Sequence, residues 1–325
     1  MKVGILGAGN IAGKMAQTLN LMNGAEPYGI ASRDYEKAKQ FAQTYHFQKA
    51  YGSYEDLISD PQVELVYVAT PHSHHYEQMK QSLEHGKPVL CEKPFTVNAA
   101  QAEEICSLGE QKKLLAAEGI WTRYLPMRKV MDDILAAGAI GKPAALYANL
   151  AAPILNLRER NHSPRLAGGA LLDMGVYTIN FAFMTFGSGN IRGIQTSMEP
   201  CYTGVDASST TVITYEDGKK AILFSSMVAK GDKAGMVYGD RGYIRFKNIN
   251  NCEGIEVYGT DDKPVASYYT PQQFTGFEYQ VEACKRAIEK GEVECPEMPH
   301  AEIIKVMKTM DSIRETWGLK YPFEK

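Results

Sequence analysis

What most constrains this chain is how it begins. Lys2–Leu6 is a short apolar run, and Gly7-Ala8-Gly9-Asn10-Ile11-Ala12 follows it at the head of an amphipathic stretch, Ile11–Met22. The spacing is G-x-G-x-x-A between a strand and a helix. Gly7 permits a tight turn, Gly9 lets the backbone approach a pyrophosphate, and Ala12 is small enough for close helix–strand packing. The helix N-terminus, with its unpaired N–H groups, then faces the phosphates. Glycines in a turn are common, but the strand before and the helix after supply the context that a dinucleotide site needs. Gly7, Gly9, Asn10 and Ile11 are therefore candidate cofactor contacts.

The first ~120 residues keep a βαβ rhythm, as expected for a parallel sheet. Apolar runs at Tyr28–Ala31, Leu65–Ala69, Pro88–Cys91 and Leu114–Ala117 alternate with helical stretches at Tyr35–Tyr45, His75–His85 and Ala99–Gln111. Leu65–Ala69 and Val89–Cys91 are continuously apolar, which suits strands covered on both faces. Arg123–Ala137 reads as a further helix, stopped by Gly138, Gly141 and Pro143. Strand patterns with hairpin punctuation then dominate, at Thr210–Tyr215, Ala221–Val228 and Tyr243–Lys247, with a helix at Asp173–Phe186. Phe277–Lys290 and Ala301–Trp317 are the closing helices. The expected fold class is α/β: an N-terminal Rossmann domain with a doubly wound parallel sheet over residues 1–122, then a C-terminal α+β domain over 123–325 whose last helix can pack back on the first.

Composition narrows the partners. Among 325 residues, Lys+Arg number 35 and Asp+Glu 38, a net charge of −3, so there is no global attraction for nucleic acid or anionic lipid. The expected partner is a small molecule. Cys91, Cys106, Cys201, Cys252, Cys284 and Cys295 form no C-x-x-C pair and read as reduced thiols. The chain enters a strand at once, leaving no room for a signal peptide. Met174–Ile191 is uncharged but carries Tyr177, Thr178 and Asn180, which fits a buried helix better than a membrane span. A cytoplasmic protein is expected.

Other motifs carry candidate chemistry. An NAD site usually holds the adenosine ribose with an acid at the end of the second strand. Here Ala31-Ser32-Arg33 stands instead, and a hydroxyl beside a guanidinium suits a 2′-phosphate, so NADP is favoured and NAD stays possible. The bland alternative is a capping Ser32 or Asp34 with a solvated Arg33. Thr70-Pro71-His72-Ser73-His74-His75 follows the Leu65–Ala69 strand; no further His or Cys at ligand spacing completes a metal set, so Thr70, Pro71 and His75 are read as a loop over the cofactor. Cys91-Glu92-Lys93-Pro94 ends another buried strand, where Lys93 would point toward the crevice and exchange a hydrogen bond with a substrate oxygen. In Gly168-Gly169-Ala170-Leu171-Leu172-Asp173-Met174-Gly175-Val176-Tyr177, Asp173 and Tyr177 are i and i+4 on one helix face. That pair can orient a hydroxyl and relay its proton, or be merely a first-turn carboxylate and a core phenol.

Three of these motifs, Gly7-Ala8-Gly9-Asn10-Ile11-Ala12, Cys91-Glu92-Lys93-Pro94 and the Gly168-Gly169 segment through Tyr177, taken in this order, resemble the glucose–fructose oxidoreductase / inositol dehydrogenase / rhizopine catabolism (Gfo/Idh/MocA) family across essentially the whole chain. Ala50-Tyr51-Gly52-Ser53-Tyr54-Glu55-Asp56-Leu57 and Ile120-Trp121-Thr122-Arg123-Tyr124-Leu125-Pro126 resemble its branch of dimeric dihydrodiol dehydrogenases and NADP-dependent xylose dehydrogenases. The resemblance implies a large, open, mainly antiparallel C-terminal sheet that often forms a dimer face. It implies oxidation or reduction of sugars, polyols or cyclic diols with a nicotinamide cofactor. It assigns Lys93, Asp173 and Tyr177 to catalysis, and Glu92, Lys93, Trp121 and Arg123 to the cofactor or substrate cleft. Many family members carry His where this chain has Tyr177, and a phenol with its ordinary pKa near 10 needs a neighbouring cation to work near neutrality. Two other activities belong on the same fold: an NAD-dependent glycosidase that lends and returns its hydride, and a non-catalytic cofactor sensor. Substrate selection is expected in residues 151–165, which carry Arg158, Arg160, Asn161, His162 and Arg165.

Overall fold

The computed structural model describes residues Met1–Glu324. In chain order the strands are β1 (Lys2–Leu6), β2 (Glu26–Ala31), β3 (Lys49–Tyr51), β4 (Leu65–Val68), β5 (Val89–Glu92), β6 (Ala116–Gly119) and β7 (Pro143–Ala151). There follow β8 (Ile191–Pro200), β9 (Asp206–Tyr215), β10 (Lys220–Ser226), β11 (Gly235–Gly239), β12 (Gly242–Lys247), β13 (Gly254–Tyr258) and β14 (Pro264–Tyr269). The helices are α1 (Asn10–Leu21), α2 (Tyr35–Tyr45), α3 (Tyr54–Ser59), α4 (His75–Glu84), α5 (Ala99–Lys112) and α6 (Pro126–Ala136). After them come α7 (Glu159–His162), α8 (Val176–Phe186), α9 (Glu278–Lys290) and α10 (His300–Trp317).

Two compact units result. The first comprises Met1–Tyr124 together with Gln273–Met307, so α9 and the first part of α10 belong to it. Its sheet has six strands in the order β3-β2-β1-β4-β5-β6, all parallel, the doubly wound order. The order reverses between β1 and β4, so the turns after these two strands flank the switch point, where ligands of such sheets bind. β1, β4 and β5 are buried along nearly their whole length, which accounts for the apolar runs Val3–Leu6, Leu65–Val68 and Val89–Cys91.

The second unit runs from Leu125 to Gln272 and resumes at Lys308. Its eight strands lie in the order β14-β13-β12-β11-β7-β10-β9-β8, and every pairing except β7 with β10 is antiparallel. α8 packs on one face against β7 and β10. Leu146, Leu223, Val237 and Ile244 are fully or nearly fully buried, and Phe181 of α8 meets Phe246 edge-on at 4.9 Å. Each such side chain contributes roughly 1.5–3 kcal/mol by leaving water. The helical run Pro164–Phe186 is long and apolar enough to cross a membrane, yet 94% of that window is buried in the protein. Its polar groups are satisfied locally, with Thr178 Oγ1 on Gly175 O at 3.0 Å and Asn180 Nδ2 on Val176 O at 2.8 Å. It is a core helix of this unit.

Candidate functional site

In the first unit the glycine-rich turn leaves β1 and enters α1. Gly7 has φ +97°, and a Cβ there would stand 2.9 Å from Ala69 O, so both conformation and space require glycine. Gly9 differs: a Cβ would meet nothing within 4 Å, which leaves open room in front of the helix. Gly9 caps α1 with no side-chain hydrogen bond, and the first turn holds no acid, so its N–H groups stay open to an anion. A cavity of about 760 Å³ begins there, lined by Ala8, Gly9, Asn10 and Lys14 and continuing to Tyr45 and Thr275. A glycine cradle, uncapped helix N–H groups and an adjoining cation together fit the pyrophosphate of a dinucleotide.

Lys14 was not singled out from the sequence. Its ammonium lies 4.2 Å from the Trp121 ring centroid and 4.3 Å from that of Phe277. Burial pushes its pKa down, opposed by the carboxylates of Glu92 and Glu278. Trp121 itself is buried against Phe277, at 4.8 Å, and Arg123 is buried and paired with Glu302 at 2.9 Å. Both are packed into the first unit; Trp121 does not line the cavity itself but lies under Lys14, which does.

At the end of β2, Ser32 Oγ accepts the N–H of Asp34 at 3.3 Å, and the Asp34 carboxylate caps α2 by accepting from Lys37 N at 3.1 Å. The only acid at this strand end is thereby engaged in a cap. Arg33 is exposed, and its positive charge bears on His74 and Tyr54, helping to hold the His74 pKa down, although burial is the larger cause.

The turns after β4 and β5 are joined by one side chain. His75 is fully buried, with Nδ1 2.8 Å from Pro94 O and Nε2 2.9 Å from Thr70 O. Burial pushes its pKa down to about 4, so at neutral pH the ring donates to one carbonyl at a time. His75 thus ties Thr70-Pro71 to the Lys93–Pro94 turn, whose peptide bond is cis, and is not itself exposed to a ligand. Glu92 is likewise turned inward, accepting the Tyr67 hydroxyl. Lys93 alone of this segment is partly exposed.

A second residue that sequence reasoning missed is Glu118, fully buried at the end of β6. Its Oε1 accepts the N–H of Phe95 at 3.0 Å, while Oε2 has no hydrogen-bond partner. Burial raises its pKa to about 7, with Arg123 and Lys93 pulling the other way. The available signal was an acid directly after an apolar run, Leu114–Ala117, where burial is costly for a charge unless it is paired or neutralised.

In the second unit, Asp173 lies on a widened π-helical turn, Leu171–Gly175, that runs directly into α8. The sequence suggested a plain α-helix from Asp173 onward. Such turns within helices are frequent at functional positions. Asp173 and Tyr177 are 7% and 8% exposed, so this unit brings both to its interior margin. Arg160 Nη1 stands 3.6 Å from Asp173 Oδ2, which selects it from the charged residues of 151–165. His162 and Tyr202 lie beside one another at 5.4 Å, with Tyr202 largely exposed.

Comparison with known proteins agrees with this geometry. Residues 1–119 match the NAD-binding Rossmann-fold domain of the GFO/IDH/MocA oxidoreductase family, and residues 129–245 match the family's C-terminal domain. The chain is 32% identical over 328 residues to trans-1,2-dihydrobenzene-1,2-diol dehydrogenase of Xenopus tropicalis, covering 99% of both chains. It is 30% identical to the Homo sapiens enzyme of that name, over 100% of this chain and 99% of the other. Among solved structures, the 3-ketoreductase KijD10 of Actinomadura kijaniata, in complex with NADP and TDP-benzene, superposes with TM-score 0.89 at 24% identity, covering 97% of each chain. A levoglucosan dehydrogenase in complex with NADH superposes with TM-score 0.86 at 18% identity, covering 98% of this chain and 97% of that one. With both domain matches in register and full-length relatives above 30% identity, this chain belongs to the GFO/IDH/MocA family of NAD-binding oxidoreductases.

Proposed function

We propose that this oxidoreductase acts on a secondary alcohol or carbonyl of a sugar-like or cyclic diol substrate, with NADP as its preferred cofactor. The bound nicotinamide supplies a hydride acceptor or donor at C4. Within the protein, Tyr177 passes the hydroxyl proton, Lys93 assists proton transfer, and Asp173 orients the substrate oxygen. The observation that carries this reading is the Asp173–Tyr177 pair: both side chains are nearly buried on one continuous helical run, with a guanidinium against the carboxylate. The names of the full-length relatives favour a diol, and those of the structural neighbours a sugar. Exposed Arg33 beside Ser32, with Asp34 engaged in its cap, favours a 2′-phosphate.

The test is turnover of trans-1,2-dihydrobenzene-1,2-diol and of aldoses by wild type and Lys93→Met. The variant should lose at least about 100-fold in kcat, the scale of one general acid–base contribution, while NADPH binding by fluorescence is retained. Undiminished kcat would remove Lys93 from the mechanism.

A homodimer in the cytoplasm completes the proposal. Ile222, Tyr147 and Met236 are neighbours across β10, β7 and β11, and Tyr238, Tyr243 and Tyr258 across β11, β12 and β13. Tyr243 stacks on Tyr258 at 4.7 Å, while Ile222 and Tyr238 are 39% and 43% exposed. An aromatic sheet face of this kind is suited to a second copy. A charge at Ile222 should shift the mass measured by light scattering from two chains to one, and cell fractionation tests the compartment, where six unpaired thiols suit a reducing one.

A further inference from the structure

Asp206 opens β9 and is fully buried, although nothing in its own sequence neighbourhood marks it as functional. Its Oδ2 accepts the N–H of Leu171 at 2.6 Å, across 35 residues of sequence. Leu171 begins the π-turn that holds Asp173 and leads into Tyr177. The other oxygen, Oδ1, is buried with no hydrogen-bond partner. It lies 2.2 Å from where a Cβ on Gly169 would stand, and Gly169 has φ +121°. The glycine is therefore required so that the carboxyl can sit against the backbone. From the other side, Tyr321 Oη donates to Gly168 O at 2.8 Å. Residues 168–171 are thus held from β9 and from the chain's last segment.

Resting on the function proposed above, we infer that Asp206 is a positioning residue. By accepting the Leu171 N–H it fixes where the π-turn starts, and so the direction in which Asp173 and, one turn later, Tyr177 face. The first N–H groups of a helix need acceptors from outside it, and here a strand carboxyl does what a capping side chain normally does. Helix N-termini also favour a negative group. The titratable and charged groups facing Asp206 are Arg314 and Tyr321; Asp173, Tyr177 and Arg160 belong to or face the segment it holds. Burial raises the Asp206 pKa to about 7, against the pull of the Leu171 N–H and of Arg314. The strength of the grip therefore varies around neutral pH.

The experiment compares Asp206→Ala, which removes the acceptor, with Asp206→Asn, which keeps an oxygen but cannot ionise. Asp206→Ala should lower kcat about 10- to 100-fold, the scale expected when catalytic groups are misplaced by an ångström, with NADPH affinity within twofold of wild type. Asp206→Asn should restore kcat to within a few-fold. A second readout needs no substrate: 4-fluorophenylalanine, which has no proton of its own to lose, placed at position 177 and followed by ¹⁹F NMR from pH 6 to 8. The wild-type resonance should move through neutrality, and in Asp206→Asn that movement should vanish. Loss of the movement supports the inference even if no tested substrate is turned over, or if Asp206→Ala does not fold. A resonance that titrates identically in wild type and Asp206→Asn overturns it, as does a folded Asp206→Ala with unchanged kcat.

Discussion

Arg160 and Asp173 form an ion pair at 3.6 Å, with the carboxylate almost wholly buried and the guanidinium about one-third exposed. A buried carboxylate that loses its cation becomes harder to ionise. Arg160→Leu should therefore move the acid limb of the kcat/KM profile to higher pH by about one unit, lowering kcat/KM about 10-fold at pH values below that limb and leaving the neutral plateau nearly unchanged. Arg160→Lys, which keeps the charge, should recover most of the loss. An unmoved limb in Arg160→Leu would show that the pair has no part in the reaction.

The proposed preference for NADP makes Arg33 the residue to test. Its guanidinium is exposed next to Ser32, and no free carboxylate stands at this strand end to hold a ribose 2′-hydroxyl. Arg33→Ala should weaken NADPH binding by about 10- to 100-fold, consistent with loss of one charge-assisted contact, and leave NADH within a few-fold. Fluorescence titration with both cofactors reads this directly. A parallel loss for NADH would mean that Arg33 serves only the adenine or the loop.

The two motif glycines should fail in different ways. Gly9 has ordinary extended φ and open space around its missing Cβ, whereas Gly7 is left-handed and crowded against Ala69 O. Gly9→Val should keep a wild-type Tm while weakening NADPH and NADH alike, because the new side chain occupies the pyrophosphate's room. Gly7→Ala should instead lower stability, by about 1–3 kcal/mol from backbone strain, seen in chemical denaturation without cofactor. A Gly9→Val variant that binds both cofactors normally would move the phosphate site away from this turn.

Elements set by local chemistry were the legible ones. β1 and α2 stand where the sequence put them, because an apolar run before a glycine turn and an Asp34 cap are local signals. β3 escaped notice because a three-residue edge strand has too few positions to display a pattern. α3, capped by Ser53 accepting from Asp56 N at 3.1 Å, was hidden by its six-residue length. Within the site, the glycine turn, Lys93 and the Asp173–Tyr177 spacing were readable as motifs. The inward turn of Glu92 and His75, the burial of Arg123 and the pairing of Arg160 were not. Each depends on a partner distant in sequence, Glu302 for Arg123 being 179 residues away. The π-turn belongs to the same class, since its first N–H is claimed by Asp206.

Buried titratable groups in the first unit make stability itself pH-dependent, with opposite signs. The Glu118 pKa is raised to about 7 from an unfolded value near 4.5, so between those values the folded chain binds a proton that the unfolded chain has released. Stability from this group is present below pH 4.5 and declines as pH rises to 7, by on the order of 3 kcal/mol. His75 runs the other way: its pKa is lowered to about 4 from 6.5, so stability is lost as pH falls from 6.5 toward 4. Over much of pH 4.5–6.5 the two slopes oppose one another and largely cancel. Glu118→Gln keeps an oxygen for the Phe95 N–H and cannot ionise, which leaves the His75 slope unopposed. Urea denaturation of this variant should show stability rising by about one proton's slope, 1.4 kcal/mol per pH unit, across that window relative to wild type. Parallel curves for wild type and variant would mean that Glu118 ionises in the folded protein as it does in the unfolded chain.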